Sequence, residues 1–131
     1  MNISSNKRIL ILDDDQALLR SLQIILEDKG YEVLTFSNPV QGCDFIRNRA
    51  PLIDELPDIV LLDYAMPLLR GDEVLLLLHR VLESSCRIFL ISAHTDIVSE
   101  LDLDKLGVEA FFAKPLDMDQ LLACLQKEKA A

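Results

Sequence analysis

Five short apolar runs recur along this chain, and each is followed by a segment whose apolar residues repeat at helical spacing. The runs predict strands at 8–12, 31–36, 58–62, 87–91 and 108–112. Their nearly continuous apolar character is typical of strands that are buried on both faces. A strand–helix unit repeated five times predicts an α/β fold, in which helices cover both faces of a parallel sheet through right-handed crossovers.

The segments between the runs carry the start and stop signals of helices. Asn38 and Pro39 are favoured residue types for an N-cap and a first helical position. Gly30 and Gly107 stand where a glycine commonly ends a helix. The predicted helices lie around 18–26, 39–46, 72–83, 96–106 and 117–126. The segment 48–57 contains two prolines and is expected to be a loop.

Length and composition predict one soluble domain. At 131 residues we expect a single domain over 1–131, with a core from about 7 to 127 and no effector domain. The formal net charge of −9 disfavours direct binding to nucleic acid. Cys43, Cys86 and Cys124 follow no metal-ligand spacing and are expected to be reduced thiols. Without a signal peptide or an apolar stretch of ~18 residues, we expect a cytoplasmic protein with no membrane segment.

Polar residues follow four of the five predicted strands, at the end where a parallel sheet binds its ligands. They are Asp13, Asp14 and Asp15 after the first strand, Asp63 after the third, Ser92 after the fourth and Lys114 after the fifth. Singly, an aspartate at such a position is also typical of a helix N-cap or a turn. Clustered carboxylates repel one another unless a cation neutralises them, and Mg²⁺ binds through such carboxylates. The cluster therefore predicts a Mg²⁺ site, beside which Lys114 can meet a phosphate.

Four short motifs are similar in order and spacing to those of response-regulator receiver domains of two-component phosphorelay signalling. They are DDD at 13–15, LLDYAMP at 61–67, ISA at 91–93 and AKP at 113–115, and the resemblance covers essentially the whole chain. It implies a flavodoxin-like, doubly wound (βα)5 sheet with strand order 2-1-3-4-5. It also implies a phosphoacceptor switch, not a turnover enzyme. A sensor histidine kinase or phosphotransfer protein would phosphorylate it, and a downstream protein or a homodimer would receive the signal.

The resemblance assigns roles to the acidic residues. Asp63 matches the phosphoacceptor, and Asp13 and Asp14 match the acidic pair that organises Mg²⁺. Asp14, Asp63 and the backbone carbonyl of Ala65 are expected to be direct ligands, with Asp13 acting mainly through a bound water. Asp15 matches no required position.

The resemblance also assigns roles to the residues that respond to the phosphoryl group. Ser92 and Lys114 would contact its oxygens, and the surface of the fourth helix, fifth strand and fifth helix would change in response. Phe111 occupies the position of an aromatic switch residue, but it has no hydroxyl with which to report either rotamer. The Lys114–Pro115 peptide is expected to be cis. Gly71 is expected to adopt positive φ before the third helix.

Several other residues are expected to take little or no part in the phosphorylation chemistry. Arg70 replaces an acidic residue common in the family without touching the phosphorylation chemistry. His79 is expected to be structural or solvated, and His94 is only a minor candidate for screening the phosphate from water. The apolar run 74–78 is expected to be buried, with a partner or dimer surface as the alternative.

Two other functions remain open from the residues alone. In a haloacid-dehalogenase-type phosphatase, Asp13 would be the nucleophile and Asp15 the general acid. A phosphatase of this type would have Thr or Val where this chain has Ala17. It would also need a later acidic pair for Mg²⁺, but the candidates Asp117 and Asp119 fall on a predicted helix. The other alternative is a receiver-like interaction module that never carries phosphate, which is disfavoured because every chemical position is filled. No organic cofactor is expected, since flavin binding would rest on the fold alone.

Overall fold

The predicted strands form one parallel sheet in the computed structural model, which describes residues 7–49, 56–68, 70–82 and 86–127. The strands are β1 (Arg8–Leu12), β2 (Glu32–Phe36), β3 (Ile59–Asp63), β4 (Arg87–Ser92) and β5 (Ala110–Ala113). The helices are α1 (Gln16–Asp28), α2 (Pro39–Arg49), α3 (Gly71–Val81), α4 (Thr95–Val98), α5 (Leu103–Leu106) and α6 (Met118–Gln126). The sheet order is β2-β1-β3-β4-β5, as predicted.

The sheet has a hydrophobic core on each face. Along β1, Ile9 and Ile11 pack with α1 and α6, whereas Leu10 and Leu12 pack with α2 and α3. All four side chains are fully buried. Because alternate residues of a strand point to opposite faces, a strand covered on both sides needs an apolar residue at every position. This explains why the central strands β1, β3 and β4 appear in the sequence as nearly unbroken apolar runs.

Two helix boundaries follow the local signals in the sequence. The side chain of Asn38 accepts hydrogen bonds from the N–H groups of Val40 at 2.8 Å and Gln41 at 3.3 Å, so it caps α2. Gly30 and Gly107 adopt φ angles of 97° and 69° after α1 and α5. Only glycine enters this left-handed region without a steric penalty, which confirms both as helix-ending residues.

The single helix predicted at 96–106 is wrong, because two four-residue helices, α4 and α5, occupy this segment. Ser99 Oγ donates to the carbonyl of Asp96 at 3.0 Å. The side chain of Asp102 accepts from the N–H of Lys105 at 3.3 Å and caps α5. Serine and aspartate side chains compete in this way with the hydrogen bonds of a continuous helix.

Other predicted boundaries shift by a few residues. The expected loop at 48–57 starts later, because α2 continues to its end at position 49, and residues 50–55 lie outside the described part. The fifth strand starts at Ala110 instead of residue 108. The third helix starts at Gly71 and ends at Val81, and residue 83 is not among the described residues.

The apolar run of α3 is mostly buried, as expected. Val74, Leu75 and Leu78 lie in the core, Leu77 packs against it, and only Leu76 is exposed. One exposed leucine does not make an apolar patch. Within the described residues, we find no helix whose length and hydropathy would let it cross a membrane.

The connection between β3 and α3 has an unexpected conformation. Gly71 was expected to adopt positive φ, but among the described residues of this loop the positive φ is found at Leu68, with φ 79°. Gly71 is required for a different reason: a Cβ there would lie 2.7 Å from Cε1 and 2.8 Å from Cγ of Tyr64. The glycine therefore allows a close approach between an aromatic ring and the helix start.

We expect Leu68→Gly to raise the free energy of unfolding by about 0.5–1 kcal/mol. Glycine removes the steric penalty of a left-handed L-residue, and its greater conformational entropy in the unfolded chain offsets only part of that gain. Leu68 is 72% exposed, so little packing is lost. Urea denaturation measures the change.

Leu76→Gly is the matched control, because Leu76 is also exposed but lies within a regular helix. It should lower the free energy of unfolding by about 1 kcal/mol, the helix-propensity difference between leucine and glycine. Destabilisation by both substitutions would contradict the strain assigned to Leu68.

Candidate functional site

Three charged side chains meet at the carboxyl ends of β1, β3 and β5. Lys114 Nζ lies 2.8 Å from Asp13 Oδ2 and 3.2 Å from Asp63 Oδ2. Asp13 is completely buried and Asp63 almost so. The Lys114–Pro115 peptide is cis, as expected. The fold therefore brings together an acidic residue from each of two neighbouring strands and a lysine from the edge strand.

Each of the two buried carboxylates is oriented by its own loop. Asp13 Oδ1 accepts a hydrogen bond from the N–H of Asp15 at 2.9 Å, and the N–H of Asp13 donates to the carbonyl of Phe36 at 3.1 Å. Asp63 Oδ1 accepts from the N–H of Ala65 at 3.1 Å. Because Oδ1 of each residue is held by the backbone, both Oδ2 atoms face the Lys114 ammonium.

Burial and charge act on these groups in opposite directions. Burial raises the pKa of Asp13, and the contacts with Lys114 and the N–H of Asp15 offset this only in part. Burial lowers the pKa of Lys114, but the carboxylates of Asp13 and Asp63 outweigh burial, so that pKa lies above its usual value. The lysine is thus firmly charged. The cost of burying the Asp13 carboxylate is only partly offset by its contacts with Lys114 and the N–H of Asp15.

The donor set fits a magnesium ion. Carboxylate oxygens of Asp13, Asp14 and Asp63 lie within 4.8 Å of one another, and Asp14 is exposed at the mouth of the site. Asp13 Oδ2 is fully buried and has no hydrogen-bond partner of good geometry, although the ammonium of Lys114 lies beside it. Oxygen-only ligands with an open side suit Mg²⁺, which binds one or two carboxylates and keeps several waters.

The third aspartate of the DDD motif has a structural role. The side chain of Asp15 accepts from the N–H of Leu18 at 3.1 Å and caps α1. Asp117 likewise caps α6 by accepting from the N–H of Gln120 at 3.2 Å. The phosphatase alternative needs Asp15 as a general acid and Asp117 in a metal-binding pair. Because both side chains cap helices instead, the geometry supports neither role.

The end of β4 links the site to the following loop. Ser92 is fully buried, its Oγ accepts from the N–H of His94 at 2.9 Å, and its carbonyl accepts from the N–H of Lys114 at 2.9 Å. Phe111 pairs in register with Leu90, two residues before Ser92, so Ser92 and Phe111 lie on the same face of the sheet. This placement permits the expected coupling of Phe111 to Ser92, which stays a prediction.

The two histidines make different contacts. A ring nitrogen of His79 is hydrogen-bonded to the carbonyl of Leu106, and the ring packs against Gly107, so His79 joins α3 to the end of α5. His94 is exposed and contacts Ser92 through its backbone N–H.

An apolar groove beside the site was not anticipated from the sequence. It has a volume of about 540 Å³ and lies between α1 and the segment that joins β5 to α6. Its lining includes Leu18, Ile25, Leu116 and Met118, with Lys114 at one end. The partial exposure of these residues depends on how α1 and α6 sit side by side, which local sequence signals do not report.

The sequence matches known proteins along most of its length. A family model described as the response regulator receiver domain matches residues 9–126. The chain is 29% identical over 122 residues to sporulation initiation phosphotransferase F of Bacillus subtilis, with 93% of each chain covered. It is 33% identical over 118 residues to the transcriptional regulatory protein KdpE of Mycobacterium tuberculosis, covering 90% of this chain and 49% of KdpE. The chain therefore spans about half of that regulator.

The fold also matches solved structures. A CheY-like response regulator receiver domain protein from Methanospirillum hungatei superposes with a TM-score of 0.81 at 30% identity, covering 93% of this chain and 92% of that one. The response regulator protein TrrA of Thermotoga maritima, solved in complex with Mg²⁺ and BeF, superposes with a TM-score of 0.73 at 25% identity. The alignment covers 92% of this chain and 96% of TrrA.

We expect Lys114→Met to lower the free energy of unfolding in Mg²⁺-free buffer by about 1–3 kcal/mol, because it removes the ammonium that compensates the buried carboxylates of Asp13 and Asp63. Chemical denaturation measures the loss.

Lys105→Met removes a charge from an exposed position on α5 and serves as the control. Its effect should stay within about 0.5 kcal/mol, as for most surface substitutions. Equal effects of the two substitutions would show that the ion pairs of Lys114 contribute nothing to stability.

Proposed function

The chain belongs to the family of response-regulator receiver domains, and from that premise we propose that the side chain of Asp63 accepts the phosphoryl group. The chain is homologous to phosphorylatable response regulators of two-component systems. Receiver domains act as signalling switches in these systems. The observation that carries the proposal is the contact of the Lys114 ammonium with both Asp13 and Asp63 at one edge of the sheet. We propose that the chain is a stoichiometric acceptor and not a turnover enzyme.

The reaction proposed for Asp63 is an in-line transfer. A carboxylate nucleophile attacks directly and needs no separate base. An oxygen of Asp63 forms a bond to phosphorus as the bond from phosphorus to the donor atom breaks, and the donor leaves with that electron pair. Lys114 lowers the repulsion between the carboxylate and the anionic phosphoryl group.

We propose that Mg²⁺ is held by Asp14, Asp63 and the backbone carbonyl of Ala65, with Asp13 contributing through a water. The close grouping of the three carboxylates and the exposure of Asp14 support this ligand set. When bound, Mg²⁺ would supply positive charge to the phosphoryl oxygens. The protein's contribution is to hold Oδ1 of Asp13 and Oδ1 of Asp63 in place through the backbone N–H groups of Asp15 and Ala65.

The phosphodonor proposed for this site is a histidine kinase or a phosphotransfer protein. The groove beside Lys114 offers an apolar surface next to the acceptor, suited to a protein donor that must bring a phosphorylated side chain to Asp63. A small phosphorylated molecule would need only the charged residues.

The output proposed for the switch is a change in α4, α5, β5 and α6. Oxygens of a phosphoryl group on Asp63 would accept from the hydroxyl of Ser92 and the ammonium of Lys114. Ser92 Oγ already holds the N–H of His94 at the start of α4, and its carbonyl holds the N–H of Lys114. A shift of Ser92 therefore moves both loops together, and biases the domain toward one of two arrangements.

Incubation with acetyl phosphate and Mg²⁺ should add one phosphoryl group, detected by intact mass. EDTA should prevent the addition, because the reaction needs the metal. Asp63→Asn should abolish it while the fold remains intact, since the amide has nearly the same shape but is not nucleophilic. Undiminished labelling of Asp63→Asn would place the acceptor elsewhere.

Two neighbouring substitutions are the controls for that experiment. Asp14→Asn should slow labelling by removing a proposed ligand. Asp15→Asn should leave it unchanged, because asparagine caps a helix as well as aspartate does. If both slowed labelling equally, Asp14 would lose its assigned role.

Addition of beryllofluoride with Mg²⁺, a mimic of the phosphorylated aspartate, should shift backbone amide signals in α4, α5, β5 and α6. The physical reason is the movement of Ser92 and Lys114 described above. Two-dimensional NMR spectra with and without the mimic measure the shifts. Shifts confined to residues that touch the phosphoryl mimic, or spread through α3 but absent from α4 and β5, would refute the proposed output surface.

A further inference from the structure

The ring of Tyr64 packs directly on the first residue of α3. A Cβ at Gly71 would lie within 2.8 Å of Cγ and Cε1 of this ring, and closer still to Cδ1. Cγ is the ring atom nearest to the backbone, so the ring cannot avoid such a Cβ by a small rotation of its outer end. Gly71 is buried, and the Tyr64 side chain is half-buried against the core on the α3 side of the sheet.

Both ends of the loop that carries this contact are fixed. The N–H of Tyr64 donates to the carbonyl of Ile91 at 3.1 Å, which ties it to β4. At the other end, the N–H of Arg70 donates to the side chain of Glu73 at 3.3 Å, inside the first turn of α3. The ring therefore fills the gap between the end of the sheet and the start of a helix.

Tyr64 stands in the sequence between Asp63 and Ala65, which supply a carboxylate and a backbone carbonyl to the proposed metal site. Any rotation about the backbone of Tyr64 moves one of these groups relative to the other. Mg²⁺ demands near-ideal octahedral geometry, so its affinity is sensitive to small displacements of a ligand.

We infer that Tyr64 is a positioning residue of the metal site: its ring, seated on Gly71, sets the distance between the Asp63 carboxylate and the Ala65 carbonyl. This inference rests on the proposed function, because it assumes that these two groups hold Mg²⁺. The hydroxyl of Tyr64 has no part in it, since the contacts that define the position are made by ring carbons.

The test is a double-mutant cycle read out by the Mg²⁺ dissociation constant of the full chain, from calorimetry or amide NMR titration. Gly71→Ala should weaken Mg²⁺ binding by about tenfold, at the low end of the effect of disturbing groups that orient metal ligands. In a Tyr64→Ala background the same methyl group meets no ring, so Gly71→Ala should then change the dissociation constant by less than about twofold. Tyr64→Phe keeps the ring carbons and should bind Mg²⁺ like the wild type.

Urea denaturation of the same variants separates positioning from simple core filling. If the ring only filled space, its removal would lower the free energy of unfolding but leave the Mg²⁺ dissociation constant of the folded protein unchanged. That outcome overturns the inference.

If Gly71→Ala does not fold, Tyr64→Leu compared with Tyr64→Phe carries the test, since only the former loses the ring. If the wild type binds no Mg²⁺, the proposed function fails. If it does bind and Gly71→Ala binds equally well, the positioning role alone fails.

Discussion

The electrostatic balance between the Lys114 ammonium and the carboxylates of Asp13 and Asp63 is the interaction on which this site depends. It requires the order of the sheet, because β1 and β3 must be neighbours to bring the two aspartates together. β5 is separated from β3 by β4, so the lysine must reach across the end of an intervening strand. Ser92, which has a small side chain, ends that strand. The strand order therefore determines whether these three charges can compensate one another at this edge of the sheet.

The central strands β1, β3 and β4 were predictable because they are buried on both faces, which leaves a nearly unbroken apolar signal. The same burial makes the first polar residue after a strand conspicuous, and Asp13 and Asp63 were recognised in this way. Helix four was predicted as one helix because its apolar residues suggest helical spacing. Ser99 and Asp102 divide it through hydrogen bonds to the backbone. Propensity alone could not tell whether these side chains would face solvent or cap a new turn.

The sequence predicted that Asp13, Asp63 and Lys114 would meet, but the detailed packing between elements was beyond sequence reasoning. The resemblance left Asp15 without a role beside Asp13 and Asp14, and the geometry shows that its side chain caps α1. Gly71 was correctly singled out but for the wrong reason, since the ring of Tyr64 excludes a side chain there and the positive φ belongs to Leu68. A glycine needed for close approach and one needed for positive φ look the same in a single sequence.

The local stability of each element indicates which parts of the domain can respond to a change at Asp63. α3 is anchored by Val74, Leu75 and Leu78, all buried in the core. The far end of α6 is held by Arg87, whose guanidinium donates to carbonyls of the last helical turn and pairs with Glu109.

By contrast, α4 and α5 have four residues each, and Val98 is their one fully buried side chain within the described part of the chain. Elements with so few buried contacts open at a small fraction of the free energy needed to unfold the core. A contact that redirects Ser92 therefore has to overcome little resistance in α4 and α5. The same contact would have to break a packed interface to move α3.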